Sequence, residues 1–325
     1  MTAIVNIGVH RSLGFEAAMS DLLGALREKR LPASFLYRGA RSAALWERLH
    51  LAHAPSTQSA VTSAPHREAF KYLRSRINQP VHLVAAGCGL AEKEMILLEI
   101  DEGCVGKLDL IDGSVELVAE AKRRILERHG KLGVRGLAAD LGIERDWNAL
   151  FSSASAETRV LTLFGMVPNF ELSKLLPSLS DALRPGDWLV LDANLRPGKG
   201  GAEGEIPEGI MAQYDNAECR DWLQSSLSEL GIFETDGRLI YEVARDSGDV
   251  EVPRIQAMFQ FSQDVCVSLV GPTIRFDAGD RLSVFYSYRY TAQDMPQMLQ
   301  EAAFECEKLC FSETGEDGVY VLRKK

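Results

Sequence analysis

The chain has 325 residues, of which 46 are acidic and 36 basic, giving a net charge of −10. At roughly 150 residues per domain this length predicts two domains, and the ordinary share of apolar and charged residues excludes a disordered, collagen-like or coiled-coil chain. The acidic charge repels phosphate groups and anionic lipids, so we expect neither nucleic acid nor a membrane as a partner.

The cysteines and the apolar runs indicate a cellular compartment. Six cysteines are too few for a disulfide scaffold and none forms a Cys-x-x-Cys pair, which is typical of reduced thiols in a cytoplasm. Cys306 and Cys310 are four residues apart, a spacing that predicts two buried thiols on one helix face. The chain starts without a basic stretch followed by an apolar core, and no apolar run approaches about 18 residues. We therefore predict a cytoplasmic monomer without a signal peptide or a membrane-spanning helix.

The amino-terminal part of the chain shows helical spacing of its apolar residues. We predict helices over residues 15–29 and 43–53, a crossing loop over the small, polar segment 55–65 that prolines bracket, and a third helix over 67–77. These elements precede the first predicted strand.

From Val81 onward, short apolar strands alternate with helices. The predicted strands cover residues 81–85, 107–111, 133–138, 160–164 and 188–192, and the helices among them cover 91–100, 115–129 and 173–183. This alternation with short connections predicts an α/β fold in which helices cover both faces of a parallel, Rossmann-like sheet.

The alternation stops after Asn194, where a glycine-rich segment begins. We predict that segment at 196–209, a helix at 214–230, strands of an inserted antiparallel unit at 250–267 and 273–276, then a strand at 282–290, a helix at 291–303 and a strand at 318–323. The carboxyl-terminal half therefore adds a smaller α+β unit to the main sheet.

The first predicted strand leads directly into Gly87-Cys88-Gly89 and a helix. Glycines at the carboxyl end of a strand let the backbone approach a ligand that a Cβ would exclude, although tight turns use glycine for structural reasons as well. Asp112 and Asp140 end the next two strands, and a carboxylate in such a position accepts ribose hydroxyls. Three successive strand ends would then hold one nucleoside.

The residues after these glycines distinguish between nucleotide cofactors. A dinucleotide fingerprint needs a third glycine, which is missing here, and the phosphate-loop pattern is also missing. We therefore expect a nucleoside without a pyrophosphate, namely S-adenosylmethionine. Taken singly, Asp112 would be equally typical of a turn or cap, and Lys93 of a solvated lysine.

Seven segments of the chain carry a resemblance to a known family: LPASFLYRGARSAALWERL, AAGCGLAEK, LTLFGMVPNF, ALRPGDWLVLDANL, QYDNAECRDWL, RIQAMFQF and DAGDRLSVFYSYRYTAQDM. Through these segments and their order, the chain resembles the class I S-adenosylmethionine-dependent methyltransferases. More narrowly, it resembles the histidine-specific methyltransferases of the ergothioneine pathway. The resemblance implies a Rossmann-like cofactor domain from residues 61–195 and 287–325. It implies a smaller substrate-binding domain from residues 8–60 and 196–286.

The resemblance also implies roles for single residues. Asn169 and Tyr214 match the pair that holds the substrate's amino-acid head group, where an amide meets both ammonium and carboxylate and a phenol donates to a carboxylate. Trp46 and Met258 match pocket walls, although core packing explains each equally well. The positions that match cofactor contacts or lie beside them are Tyr37, Gly87, Gly89, Lys93, Asp112, Asp140 and Leu141.

The sequence departs from the family where the acceptor binds. The family's glutamate that binds the imidazole ring aligns with Phe285, and its serine two residues on aligns with Ser287. Loss of that carboxylate removes the charge-assisted contact to a histidine ring. An aromatic wall in its place predicts an acceptor with a flat or apolar side chain.

The predicted activity is S-adenosylmethionine-dependent N-methylation of an amino acid or a small molecule derived from one. Asn169 and Tyr214 would orient the nucleophile, and Asp215 is a weak candidate for the general base. His50 and His53 have helical spacing but no third ligand nearby, so we expect no metal.

Two other functions stay open. One is a lyase or cyclase that binds S-adenosylmethionine in the same fold and needs no methyl acceptor. Half of an aromatic run on one strand would then face the sulfonium, because alternate residues point to opposite faces: Phe285, Tyr286, Tyr288 and Tyr290. The other is a non-catalytic ligand-binding module.

Overall fold

The computed structural model describes residues 6–53, 63–142, 147–151, 157–196, 206, 208–245 and 252–325. Most of the two predicted loops at 55–65 and 196–209 lies outside these residues, as does the start of the strand predicted at 250–267. Every statement about contacts below concerns the described residues.

Thirteen strands and ten α-helices lie in the described part of the chain. The strands are β1 Ile7–Val9, β2 Val81–Ala86, β3 Val105–Asp112, β4 Gly133–Ala138, β5 Arg159–Leu163, β6 Trp188–Asn194, β7 Gly237–Arg245, β8 Pro253–Phe261, β9 Val265–Ser268, β10 Thr273–Phe276, β11 Arg281–Tyr288, β12 Phe304–Phe311 and β13 Asp317–Lys324. The helices are α1 Phe15–Arg27, α2 Gly39–His53, α3 Ala64–Arg76, α4 Glu92–Ile100, α5 Val115–Arg128, α6 Trp147–Leu150, α7 Leu172–Ala182, α8 Glu208–Met211, α9 Ala217–Glu229 and α10 Asp294–Glu301.

Eight strands form one sheet in the order β1-β4-β3-β2-β5-β6-β13-β12. Its neighbours from β1 to β6 are parallel, whereas β13 is antiparallel to both β6 and β12. The central strands are almost continuous apolar runs because both faces are covered, by α3, α4 and α5 on one side and by α6, α7 and α10 on the other. The predicted α/β fold with helices on both faces is confirmed.

The sheet has a switch point between β2 and β5. From β2 the chain continues outward through β3 and β4 on one side, and later through β5 and β6 on the other. Loops that leave two such strands in opposite directions open a crevice at the carboxyl ends of the strands. This crevice lies between Gly87, which follows β2, and Phe164, which follows β5.

A second layer is built on the antiparallel sheet β11-β8-β7 and the hairpin of β9 and β10. Its core joins α1 from the amino terminus to α9 and to the inner face of β8. The indole N–H of buried Trp222 donates to the carbonyl of Leu36 at 3.0 Å, which satisfies the ring's single polar atom. Segments far apart in the chain therefore share one core.

Two helices of the structure begin at capping side chains. Ser114 Oγ accepts from the backbone N–H of Leu117 at 3.3 Å at the start of α5, and Asn216 Oδ1 accepts from that of Cys219 at 2.9 Å at the start of α9. A cap holds the residues immediately before its helix in place. The two caps therefore help to position the loops that carry Asp112 and Tyr214.

The sequence pattern missed β1, β7 and β12. Because β1 pairs with β4, residues 8 and 9 belong to the main sheet and not to the smaller unit. Cys306 and Cys310 lie on β12 and not on a helix, with Cys306 exposed and Cys310 buried. The helical prediction was wrong because a spacing of four residues fits one face of a strand as well as of a helix, and this segment pairs with β13. A register shift after Cys306 then turns the two thiols to different surroundings.

Candidate functional site

A cavity of about 480 Å³ lies where the carboxyl ends of the central strands face the second layer. Its walls come from the loops after β2, β3, β4, β5 and β6, and from α2, α9 and β11 opposite them. A volume of this size is typical of sites for small molecules. Twelve of the thirteen predicted site residues line it: Tyr37, Trp46, Gly87, Gly89, Lys93, Asp112, Asp140, Leu141, Asn169, Tyr214, Phe285 and Ser287.

The turn after β2 needs its glycines. Gly87 and Gly89 have φ angles of +67° and +48°, in the left-handed region that side chains with a Cβ disfavour. A Cβ on Gly87 would overlap the side chain of Met166, and one on Gly89 would lie 3.1 Å from the ring of Trp46. The two glycines therefore let the backbone turn tightly and let Met166 and Trp46 pack closely against it.

Asp112 ends β3 with its carboxylate held by the glycine turn. Oδ2 accepts from the backbone N–H of Gly89 at 2.9 Å, and Oδ1 accepts from that of Ser114 at 3.0 Å. Burial raises the pKa of Asp112 against the effect of these hydrogen bonds. Each carboxylate oxygen has a second lone pair, so the group can still accept from a ligand in the cavity.

The end of β4 contributes the next polar group. Asp140 Oδ1 accepts from the backbone N–H of Gly142 at 2.9 Å, and the N–H of Asp140 donates to Ser12 Oγ at 2.9 Å. Ser12 belongs to the segment after β1, which the sequence pattern did not place in the main sheet. Leu141 follows with its side chain buried at the cavity wall.

Lys93 forms an ion pair that the sequence did not predict. Its Nζ lies 2.7 Å from Asp192 Oδ2 at the end of β6, and His66 Nε2 lies 3.0 Å from the same oxygen. The other oxygen accepts from the backbone N–H of Gly165 at 2.6 Å. Burial alone would raise the pKa of Asp192, but the Lys93 ammonium and the His66 hydrogen bond hold it well below its usual range. One carboxylate therefore ties α3, α4 and the loop after β5 together.

Two further titratable groups lie at this end of the cavity. Burial lowers the pKa of His66 despite its bond to Asp192, so the neutral ring is favoured. Glu94 accepts from Thr162 Oγ1 at 2.7 Å, and burial raises the pKa of Glu94 to about 7. Neither residue stands out in the sequence, because each contact joins segments that are far apart in the chain.

The opposite end of the cavity carries a cluster around Tyr214. The Tyr214 hydroxyl lies 2.8 Å from Ser287 Oγ and accepts from Arg289 Nη2 at 2.8 Å, while Asn194 Nδ2 approaches it at 3.5 Å. Asn169 lies at the rim, where its Nδ2 donates weakly to the carbonyl of Gly165 at 3.4 Å. The structure thus brings Tyr214 and Ser287 together, and half-buried Asn169 lines the same cavity without a hydrogen bond to either of them.

Aromatic rings line the cavity between its two ends. Phe285 packs against Tyr214 and Trp222 with ring centroids 6.0 Å and 5.9 Å apart. Tyr37 contacts Trp222 at 5.3 Å and Trp46 at 6.2 Å, and burial raises the pKa of its phenol. Trp46 therefore lies near both Tyr37 and the glycine turn.

Two candidate residues lie elsewhere. Met258 is not among the described residues that line the cavity, because it alternates with Ala257 and Phe259 on β8 and so points away from the core face that they occupy. Asp215, the candidate base, forms an exposed ion pair with Arg220 and also does not line the cavity. Both expectations were wrong in placement.

No group of three His, Cys, Asp or Glu side chains that could hold a metal occurs in the described ranges. His50 and His53 lie near separate carboxylates, Glu92 at 3.7 Å and Glu218 at 3.1 Å. Within the same ranges, no helix is both long and apolar enough to cross a membrane.

A family model described as "histidine-specific methyltransferase, SAM-dependent" matches residues 18–324, which is nearly the whole chain. The chain belongs to this family. The resemblance seen in the sequence is thereby confirmed, and S-adenosylmethionine is the cofactor.

Solved structures resemble the chain at low identity. One is an S-adenosylmethionine-dependent methyltransferase from Clostridium acetobutylicum, with 11% identity, a TM-score of 0.44, and coverage of 86% of this chain and 97% of that one. Another is an amino pentose methyltransferase from Micromonospora echinaspora, with 16% identity, a TM-score of 0.42, and the same coverage of 86% and 97%. A third is 1,6-didemethyltoxoflavin-N1-methyltransferase from Burkholderia thailandensis, with 12% identity, a TM-score of 0.45 and 88% of both chains covered. A search of curated proteins gave no match.

Proposed function

We propose that this protein methylates the amino group of an amino acid, or of a small molecule derived from one, with S-adenosylmethionine as the methyl donor. The observation that carries the proposal is a single cavity, lined both by the strand ends expected to hold the cofactor and by the side chains expected to hold an amino acid. Two bound molecules react fast only when one site holds them at short distance and in the right orientation.

The residues at the strand ends fit S-adenosylmethionine. Asp112 presents a buried carboxylate of the kind that accepts ribose hydroxyls, and the Gly87-Cys88-Gly89 turn beside it lines the cavity. We assign Asp140 and Leu141 to the same ligand, and we propose that Lys93, Tyr37 and Trp46 lie beside it. When bound, the cofactor supplies a methyl group on a positively charged sulfur.

The acceptor end fits an amino acid with a flat or apolar side chain. We assign Asn169 and Tyr214 to the head group of the acceptor. Phe285 packs on Trp222 and Tyr214, so an acceptor side chain beside it meets aromatic surface. The Phe285 side chain offers an imidazole ring no carboxylate, which argues against histidine as the acceptor.

The chain contributes orientation and exclusion of water to this reaction. An amine attacks only in its neutral form, because the lone pair on nitrogen forms the new bond. Asp215 forms an ion pair with Arg220 outside the cavity, and from there it cannot remove the proton of the amine. We therefore expect the acceptor to react as the free base. Tyr214 and Asn169 would hold the head group so that the nitrogen faces the methyl group.

We further propose a cofactor domain of residues 61–195 and 287–325 and a substrate domain of residues 8–60 and 196–286, with β1 reassigned to the former. The acidic net charge supports a small-molecule partner over nucleic acid or a membrane surface. We also propose that the protein is a cytoplasmic monomer with reduced cysteines.

The test is mass spectrometry after incubation with S-adenosylmethionine and each of the twenty amino acids. We expect S-adenosylhomocysteine and a methylated amino acid, with aromatic or apolar amino acids preferred. Methylthioadenosine without a methylated amino acid would establish the lyase or cyclase instead. Tight cofactor binding without any product would favour a binding module, and histidine as the best acceptor would overturn the role given to Phe285.

A further inference from the structure

Asp317 lies at the cavity between its cofactor end and its acceptor end. It begins β13 and pairs with Asn194, the last residue of β6, and both residues line the cavity. Residues directly opposite each other on paired strands point to the same face of a sheet, as do residues two apart on one strand. On this face, Asn194 Nδ2 lies 3.5 Å from Tyr214 Oη at the acceptor end. Two residues before Asn194, Asp192 forms its ion pair with Lys93 at the cofactor end.

The carboxylate of Asp317 has no partner among the described side chains. The residue is held by its backbone, because its N–H donates to Ser312 Oγ at 3.1 Å and its carbonyl accepts from the N–H of Ser312 at 3.0 Å. No described side chain donates a hydrogen bond to the carboxylate or forms an ion pair with it. The neighbouring Glu316 differs, since its Oε2 accepts from Gln213 Nε2 at 3.1 Å. The backbone thus fixes Asp317 at the cavity and leaves its carboxylate available to a ligand.

The surroundings of Asp317 disfavour its negative charge when the cavity holds no cation. Burial raises the pKa of the Asp317 carboxyl, and the charges of Asp192 and Glu316 raise it further. The cations Lys93 and Arg289 lower this pKa, but neither contacts the carboxylate. A cation that enters the cavity and donates hydrogen bonds to the carboxylate would supply the missing compensation. The group is therefore suited to a positively charged nitrogen.

We propose that Asp317 is a catalytic residue, which contacts the acceptor nitrogen and stabilises the positive charge that forms on it during methyl transfer. The nitrogen lone pair forms the bond to the methyl carbon as the carbon–sulfur bond breaks, and the electron pair of that bond stays on sulfur. The positive charge thus moves from sulfur to nitrogen, and no proton is transferred in this step. A carboxylate already placed at the nitrogen favours this transition state. The inference rests on the proposed function in that the nitrogen belongs to the methyl acceptor.

Two probes that differ only at the nitrogen test this contact by binding. L-Phenylalanine carries an ammonium group at about pH 7, where L-3-phenyllactate carries a hydroxyl. Both are titrated calorimetrically into the protein loaded with S-adenosylhomocysteine. We expect phenyllactate to bind at least about tenfold more weakly to the unchanged protein, since charge-assisted hydrogen bonds are about twice as strong as neutral ones. Asp317→Asn should remove most of this difference. Equal affinities in the unchanged protein, binding of neither probe, or an unchanged difference in Asp317→Asn would overturn the contact.

Methyl transfer to phenylalanine separates a catalytic role of Asp317 from a structural one. Asp317→Asn is expected to lower kcat by about 100-fold and to leave the affinity for S-adenosylhomocysteine unchanged, while Asp317→Glu recovers part of the loss. Glu313→Gln is the matched control, since Glu313 is exposed on the turn between β12 and β13. Weaker S-adenosylhomocysteine binding by Asp317→Asn would place Asp317 at the cofactor and contradict the proposal. If Asp317→Asn does not fold, the two probes decide, in the unchanged protein and in Asp317→Glu, which should keep the preference for phenylalanine.

The role of Asp317 and the proposed function can fail separately. Methylated phenylalanine formed with the same kcat by Asp317→Asn and by the unchanged protein overturns the role of Asp317 and leaves the methyltransferase proposal standing. A preference for phenylalanine over phenyllactate that depends on Asp317, with no methylated product from any amino acid, overturns the methyltransferase proposal and leaves the contact with the nitrogen standing.

Discussion

The two ends of the cavity are built in different ways. The cofactor end uses short segments at the ends of β2, β3 and β4, and its turn is held by backbone N–H groups that donate to Asp112. The acceptor end uses side chains from separate segments, and its central bond joins Arg289 to Tyr214 across 75 positions of the chain. The cofactor end is therefore fixed by bonds between short segments at strand ends, whereas the acceptor end depends on side chains that are far apart in the chain.

This difference implies that each end responds to its own substitutions. A change at the strand ends should lower affinity for the cofactor and leave acceptor preference intact. A change at Phe285 or Arg289 should alter acceptor preference and leave cofactor affinity intact. The predictions below start with the largest expected effect.

Replacing Asp112 with alanine should strongly weaken binding of the cofactor. The carboxylate is buried and holds the backbone N–H groups of Gly89 and Ser114. Loss of two charge-assisted contacts to a ligand, with those N–H groups left unpaired, is expected to weaken S-adenosylhomocysteine binding by about 100-fold. Calorimetry measures the affinity for S-adenosylhomocysteine. The control is Asp101→Asn, because Asp101 lies at the far end of α4 and pairs with Arg74. Unchanged affinity would exclude Asp112 from the cofactor site.

A change at Phe285 should alter the acceptor end alone. Phe285→Glu places a carboxylate where the family has one, and is expected to raise kcat/KM for histidine relative to phenylalanine by about tenfold or more. Phe285→Leu removes the ring but adds no charge and should keep the preference for apolar acceptors. Competition between the two amino acids measures the ratio directly. An equal shift in both variants would show that ring packing, and not charge, sets the preference.

Asp192 links the cofactor end of the cavity to the helices α3 and α4 that support it. Asp192→Asn removes the charge that Lys93 pairs with, so the ammonium and the loop at Gly165 lose their common anchor. We expect KM for S-adenosylmethionine to rise by about tenfold with kcat little changed, because positioning of the cofactor is affected and the acceptor is not. Glu99→Gln, an exposed change on α4, is the control. A fall in kcat at constant KM would place Asp192 in the chemical step.

Glu94 should affect stability with a defined dependence on pH. Its pKa is raised from 4.5 to about 7, so between these values the folded chain holds a proton that the unfolded chain releases. The free energy of unfolding therefore falls as pH rises from about 4.5 to beyond 7. Glu94→Gln has no proton to release, so its free energy of unfolding should not fall in this way. The difference in free energy of unfolding between Glu94→Gln and the unchanged protein should grow from near zero at about pH 4.5 to as much as about 3 kcal/mol at pH 8. Urea unfolding at both pH values measures it, and a difference independent of pH would contradict the burial argument.

The cofactor end could be predicted from the sequence because its signals are local. Gly87, Asp112 and Asp140 each follow a strand whose apolar run is visible, and parallel strands bring their carboxyl ends to one edge. Asp192 also ends a predicted strand, yet its partners His66 and Lys93 lie 126 and 99 positions away. Nothing in the local pattern distinguishes it from an ordinary strand-end acid.

The acceptor end was predictable only through the family resemblance. Tyr214 looks like an ordinary tyrosine before a helix, and Ser287 and Arg289 are polar residues within a strand that reads as amphipathic. Met258 was misplaced because resemblance gives a position in the chain, while alternation along β8 decides which face the side chain takes. The spacing of Cys306 and Cys310 also failed to predict their surroundings, because a register shift in β12 changes which face each thiol takes.

The central claim is that one cavity holds cofactor and acceptor face to face. A crystal structure with S-adenosylhomocysteine and phenylalanine tests it most directly. The account predicts ribose hydroxyls on Asp112, the amino-acid head group beside Asn169 and Tyr214, and the amino nitrogen directed at the sulfur. A phenylalanine carboxylate bound elsewhere, or an amino nitrogen turned away from the sulfur, would contradict it.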